Sequence, residues 1–127
     1  VPGGGHVMSS VGRTGEEQAA RYCESLGWAV VDRNWRCELG ELDLVCLEPV
    51  ADGLPTGVAV EVKTRTGTGF GEPLEAITAA KLARLRRLAG VWAAQHNGEV
   101  SGVRLDGIGI LKYPGWAPLV THVRGMA

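Results

Sequence analysis

No apolar run in the chain approaches the ~18–20 residues that a bilayer-spanning helix needs, and the N-terminus lacks the basic-then-apolar profile of a secretory signal. The expectation is a cytoplasmic protein with no membrane partner. Cysteine is scarce: Cys23, Cys37 and Cys46 are odd in number and show no C-x-x-C spacing, so neither a disulfide framework nor a zinc site is encoded. They read as reduced, mostly buried thiols. Aromatic residues are 6% of the chain, and the four tryptophans, Trp28, Trp35, Trp92 and Trp116, do not interleave with basic residues as a single-strand stacking platform would. They read as core or rim packing. The glycine-rich stretch 66–71 lacks the lysine and following helix of a P-loop, which argues against nucleotide hydrolysis. Repeats and low-complexity segments are absent too.

What remains is 127 residues, 45% apolar and 21% charged, the size and balance of one folded domain. Val1-Pro2-Gly3-Gly4-Gly5-His6-Val7 resembles a vector remnant, so the domain is taken as residues 8–127. The net charge of −1 hides an asymmetry: residues 1–62 sum to −6 and residues 63–104 to +4. The acidic and basic stretches meet at Glu61 and Lys63.

Thr14-Gly15-Glu16-Glu17 matches a capping box, Ala19, Tyr22, Cys23 and Leu26 recur at helical spacing, and Gly27 supplies a stop, predicting a helix over 15–26. Aromatic and β-branched enrichment predicts strands over 28–35, 42–47, 58–63, 103–111 and 119–123. The second and third of these, joined by the Pro- and Gly-rich loop 49–57, form an antiparallel hairpin. A second helix, starting near 75 or 78 and ending at 95, buries Leu82, Leu85, Leu88, Ala89 and Trp92. The order α, β, β, β, α, β, β gives an α/β fold, a central mixed β-sheet of about five strands flanked by helices.

Alternation along the third strand puts Ala59, Glu61 and Lys63 on one face and Val58, Val60 and Val62 on the other. Asp43 interrupts an apolar run on the neighbouring strand, where an acid is either costly or kept for a ligand. If the hairpin register sets Asp43 beside Glu61, two carboxylates and Lys63 converge. That set suits phosphodiester cleavage: Mg²⁺ or Mn²⁺ takes carboxylate oxygens, with the Val62 carbonyl as a further ligand, and the lysine orients water and offsets transition-state charge. Glu41 shares the alternation of Asp43. Lys81, Arg84, Arg86 and Arg87 give the second helix a basic surface, which with Arg65 forms a rim suited to nucleic-acid phosphates, or simply a solvated face. Arg104 and Asp106 read as an ion pair, His96 as a helix cap and His122 as structural; Arg33 and Arg36 either meet phosphate or pair with the acidic half.

Gly40-Glu41-Leu42-Asp43-Leu44 followed by Glu61-Val62-Lys63-Thr64-Arg65 resembles the D…(D/E)-x-K core of the restriction-endonuclease-like superfamily. With Gly15-Glu16-Glu17, Arg33-Asn34-Trp35-Arg36, Phe70-Gly71, Lys81, Arg104-Leu105-Asp106 and His122, the chain from about Gly12 to Val123 is similar to the YraN family of bacterial proteins. The resemblance implies a Holliday-junction-resolvase-like or tRNA-endonuclease-like fold and a metal-dependent nuclease. It makes Asp43 and Glu61 metal ligands, Lys63 the catalytic lysine and Glu17 a further acid near the metal. A capping box explains Glu17 equally well. DNA, branched DNA included, is the expected substrate ahead of RNA, and a homodimer the expected assembly. The sequence departs from the superfamily in having Leu42 where a proline often precedes the acid, and from the expected larger residues at Gly107 and Gly109. Two other readings stand beside the nuclease: a nucleic-acid-binding module without chemistry, and a scaffold in which the charged trio is a structural ion network.

Overall fold

The computed structural model describes residues 10–67 and 73–126. Its elements are α1 (Ser10–Ser25), β1 (Ala29–Cys37), β2 (Gly40–Glu48), β3 (Thr56–Thr66), a 3-10 turn (Pro73–Ala76), α2 (Ala79–Gln95), β4 (Val103–Lys112) and β5 (Leu119–Val123). The expected α/β class and five-stranded mixed sheet are present. The strand order is β1-β2-β3-β4-β5, with β3 and β4 parallel and the other neighbours antiparallel. Parallel strands need a crossover, and α2 supplies it. The suggested vector remnant and the tip of the glycine loop, with Phe70 and Gly71, lie outside the described residues.

The sheet is buried on both faces because its strands alternate apolar residues between two helices. Ala19, Ala20 and Cys23 of α1, with Trp28, pack on Leu44, Cys46, Val58, Val60, Ile108 and Ile110. Leu85, Leu88, Ala89 and Trp92 of α2 pack on Leu42, Val45, Ala59 and Leu105. Glu61 and Lys63, alternating with Val60 and Val62, therefore fall on the α2 face. Thr78 caps α2, its side chain accepting from the Lys81 N–H at 3.1 Å, and His96 closes it by donating Nδ1–H to the Trp92 carbonyl at 2.7 Å. Gly27 ends α1 at φ +88, as its type suggested.

Two expectations need correction. First, α1 begins at Ser10, so Thr14 and Gly15 lie inside the helix and form no capping box. Gly15 is there because α1 crosses β3 closely, and a Cβ would overlap the Thr64 hydroxyl and come within 3.2 Å of Thr64 Cβ. Second, Trp116 is neither core nor rim, being 78% exposed, while Trp28 and Trp92 are buried. Gly107 and Gly109 have a packing reason, since the 3-10 turn presses on β4: a Cβ on Gly109 would sit 3.2 Å from Pro73.

The far end of the sheet is tied by Asp106, fully buried, which takes Arg104 Nε at 2.8 Å, His122 Nε2 at 2.8 Å and the Gly125 N–H at 3.0 Å. The expected Arg104–Asp106 pair is thus present, with Arg104 also bonded to Glu48 at 2.6 Å. His122 is structural, reaching the Tyr22 hydroxyl with Nδ1 at 3.1 Å.

Alanine ordinarily favours a helix over glycine by ~1 kcal/mol, yet at Gly15 we expect overpacking to win. Gly15→Ala should lower stability in urea unfolding by ~1–3 kcal/mol, and adding Thr64→Ala should recover most of it; a rise in the unfolding midpoint for Gly15→Ala alone would contradict the close crossing.

Candidate active site

The β2–β3 ladder runs from Glu48↔Thr56 to Leu44↔Val60. One further step of the same register sets Asp43 opposite Glu61, as the hairpin reading required. Backbone pairing gives way there to a side chain: Asp43 Oδ2 accepts the Val62 N–H at 2.8 Å. On its other side Asp43 falls opposite Asn34 of β1, between the pairs Arg33↔Leu44 and Trp35↔Leu42. Asn34 has φ 52, the left-handed region that asparagine tolerates better than most residues. The sheet is thus locally irregular around Asp43.

A recess of about 210 Å³ opens at this point, lined by Gly40, Glu41, Asp43, Glu61, Lys81 and Arg84 over a floor of Leu85 and Leu88. Glu61 is 4% exposed, and its Oε2 lies 3.3 Å from Lys81 Nζ and 3.7 Å from Lys63 Nζ. Burial, then the charge of Glu61, push the Asp43 carboxyl up to about 8, against the opposing pull of the Val62 N–H; Glu16 adds to the rise. A hydrogen-bonding contribution from the Glu61 side chain adds the smallest share to the rise. Glu16 is itself raised, by burial and then by Glu41, while the Asn34 side chain hydrogen-bonds it and opposes the rise.

Five of the residues singled out in the sequence are therefore gathered: Asp43, Glu61, Lys63, Lys81 and Arg84. Arg65 lies two positions beyond Lys63 on β3, its guanidinium donating to the Thr64 carbonyl at 3.1 Å. Arg87 is exposed on α2, three positions past Arg84. Val62 holds Asp43 through its N–H.

Glu17 is not among the gathered acids. It pairs with Arg33 at 2.6 Å and Arg21 at 3.8 Å on the outer side of α1. Arg36 likewise meets an acid, Glu41 Oε2, at 3.5 Å. The acid that α1 brings to the cluster is Glu16. A signal for it was present: the buried stripe Ala19, Ala20, Cys23, extended back by one turn, falls on 16 and not on 17.

The donor set can be tested against a divalent cation. Among the described residues, no three histidine, cysteine, aspartate or glutamate side chains are grouped to hold an ion by themselves. A cation would then rest on Asp43 and Glu61 with backbone, water and substrate oxygens, the manner in which Mg²⁺ binds at phosphate-handling sites. The donors are all oxygen, the choice for Mg²⁺ or Mn²⁺ over zinc. Asn34 Oδ1 is a buried oxygen with no hydrogen-bond partner, Glu41 Oε2 makes no hydrogen bond beyond its 3.5 Å ion pair with Arg36, and the crowding of acids that raises Asp43 is one a cation would relieve. The residues fit such an ion.

The class these features define is an α/β protein with a nuclease-like core and an acid–lysine recess where β2 and β3 part. Residues 15–110 match the uncharacterised protein family UPF0102, also called YraN, and the chain belongs to it. A UPF0102 protein of Beutenbergia cavernae is 49% identical over 94% of this chain and 98% of its own. Those of Nocardia farcinica and Clavibacter michiganensis subsp. michiganensis are 44% and 48% identical, covering 92% and 90% of this chain and 88% and 92% of theirs. No helix of the described residues is long and apolar enough to cross a membrane.

An aspartate whose folded pKa is raised to about 8 from an ordinary value near ~3.9 is increasingly unfavourable to folding as pH climbs between the two. Asp43→Asn, which still accepts the Val62 N–H, should therefore raise the melting temperature in metal-free buffer by several degrees at pH 8 and by much less at pH 5. A loss of stability that is the same at both pH values would instead make Asp43 part of a structural ion network.

Proposed function

We propose that the protein is a metal-dependent endonuclease acting on nucleic-acid phosphodiesters. The observation that carries this is the placing of two carboxyls, Asp43 and Glu61, in one recess with Lys81 and Arg84, with Lys63 reaching Glu61 from the same strand. Two neighbouring acids under three cations make a site with both a cation-binding floor and an anion-binding rim.

Asp43 and Glu61, with the Val62 carbonyl, would hold Mg²⁺ or Mn²⁺, and Glu16 and Glu41 add negative potential around them. When bound, the ion supplies a lowered pKa for water and neutralises charge on the phosphoryl oxygens. Lys63 extends from the same strand face as Glu61, and its ammonium orients the attacking water and offsets charge gathering on the phosphate. Lys81 and Arg84, one helical turn apart on α2, approach from the opposite wall and grip the substrate's phosphate oxygens, Arg84 with a fork that can bond two at once. Arg65 and Arg87 extend the rim along the backbone of the nucleic acid. DNA, with branched DNA among its forms, is the preferred substrate, by analogy of fold.

A second reading has one observation in its favour. Both lysines lie against Glu61, so the buried acid is neutralised with no ion present. That arrangement suits a nucleic-acid-binding module that performs no chemistry.

Titration calorimetry with Mn²⁺ and Mg²⁺ on wild type and Asp43→Ala, followed by incubation of the same samples with branched and linear DNA, separates the two. We expect metal binding that disappears in Asp43→Ala and cleavage by wild type only. Lys63→Ala should keep DNA binding within a few-fold while cleavage falls by ~10²–10⁴. Equal DNA binding with no cleavage in either metal would select the binding module.

A further inference from the structure

Trp116 is the most exposed large apolar side chain described, and its place relative to the recess is informative. The turn Tyr113-Pro114-Gly115-Trp116 is closed by the Trp116 N–H on the Tyr113 carbonyl at 3.1 Å, and Gly115 takes φ +79. The indole is thus presented by an ordered turn and flanks a cavity of about 340 Å³ with Tyr113, Ala117 and Leu119. Leu119 is itself 58% exposed.

This cavity lies at the end of the sheet toward which β3 carries Lys63 and Arg65. Arg65 is paired with Leu111 of β4, and Leu111 with Leu119 of β5, so the three form one row across adjacent strands. At ~4.8 Å per strand, Leu119 stands roughly 10 Å from Arg65. Thr66 pairs with Lys112, the residue before Tyr113. The strand segments that reach this end carry charge of one sign: no acidic residue occurs in 62–67 or in 107–119, whereas Lys63, Arg65 and Lys112 do. An aromatic surface at the end of strands that carry cations matches a polyanion whose apolar parts are flat, that is, a nucleic-acid strand with unpaired bases.

We infer that Tyr113 and Trp116 form a stacking site for an unpaired nucleobase, so that the strand entering the Asp43 recess has a single-stranded segment on the Lys63–Arg65 side. The inference rests on the proposed function for its direction along the strand, while the stacking site itself stands without any cleavage. A paired base buries its faces in the duplex, so this contact separates single strands from blunt duplexes where phosphate contacts alone do not.

The test is fluorescence anisotropy of an end-labelled oligothymidine and of a blunt duplex of equal length, in EDTA, with wild type, Trp116→Ala and Trp116→Phe. Trp116→Ala should weaken single-strand binding by about tenfold or more and duplex binding by less than twofold, and Trp116→Phe should retain most of the affinity. Unchanged melting temperatures would accompany this, as the side chain is exposed. Equal losses for both oligonucleotides, no loss for either, or no single-strand binding by wild type would each overturn the stacking site. If the Trp116→Ala chain alone became monomeric in sedimentation while its nucleic-acid affinity held, this face would be a contact between copies of the chain and the inference would fall. Selective single-strand loss without Mg²⁺-dependent cleavage by wild type would leave the stacking site standing and overturn the nuclease.

Discussion

The Val62 N–H reaching Asp43 Oδ2 across 2.8 Å holds a carboxylate where a sheet ordinarily has a carbonyl. That one exchange of side chain for backbone ends the β2–β3 ladder at Leu44↔Val60 and leaves room for the recess. It also keeps Asp43 against Glu61 although both are acids and Glu61 is buried. The apolar alternation that buries Val58, Val60 and Ala59 fixes the strand so firmly that Glu61 and Lys63 have no freedom to turn away. The core thus enforces an electrostatic arrangement that the charged residues would not choose by themselves.

A second buried acid shows what an unstrained arrangement looks like. Burial would raise Asp106, but Arg104, the Gly125 N–H and His122 outweigh it and hold its carboxyl below the usual range. Every oxygen of Asp106 is answered by a donor, and the group fastens β4 to β5 and to the chain end at Gly125. Asp43 receives one N–H and faces two acids. Equivalent chemistry in the two places yields opposite shifts, and the difference lies wholly in the neighbours. A group left so poorly answered inside a well-packed domain is what the proposed cation site rests on.

Much of this was legible in the chain. Strict alternation over 58–63 fixed the faces of Glu61 and Lys63, and the spacing of Leu85, Leu88, Ala89 and Trp92 marked the buried side of α2. The bounds 119–123 of β5 coincide with the observed strand. What escaped depended on contacts between distant parts. Thr14 looked like a cap because local pattern cannot show that α1 continues back to Ser10. Glu17 came from the family resemblance, and Glu16, separated from Asp43 by a whole strand in sequence, is the acid of α1 that lies near it. Gly15 read as part of a cap and Gly109 as a departure from larger residues, because the close approach of Thr64 and Pro73 to them is not written in local sequence. Trp116 read as packing because an apolar residue carries no mark of the partner it lacks.

The claim at the centre is that Asp43 is an acid held for a cation. The most direct measurement is the titration of its carboxyl carbon by ¹³C NMR, with and without saturating Mg²⁺. A midpoint near 8 is expected in the metal-free protein, with a large downward shift when Mg²⁺ is added. An ordinary midpoint near ~4, indifferent to the metal, would contradict it.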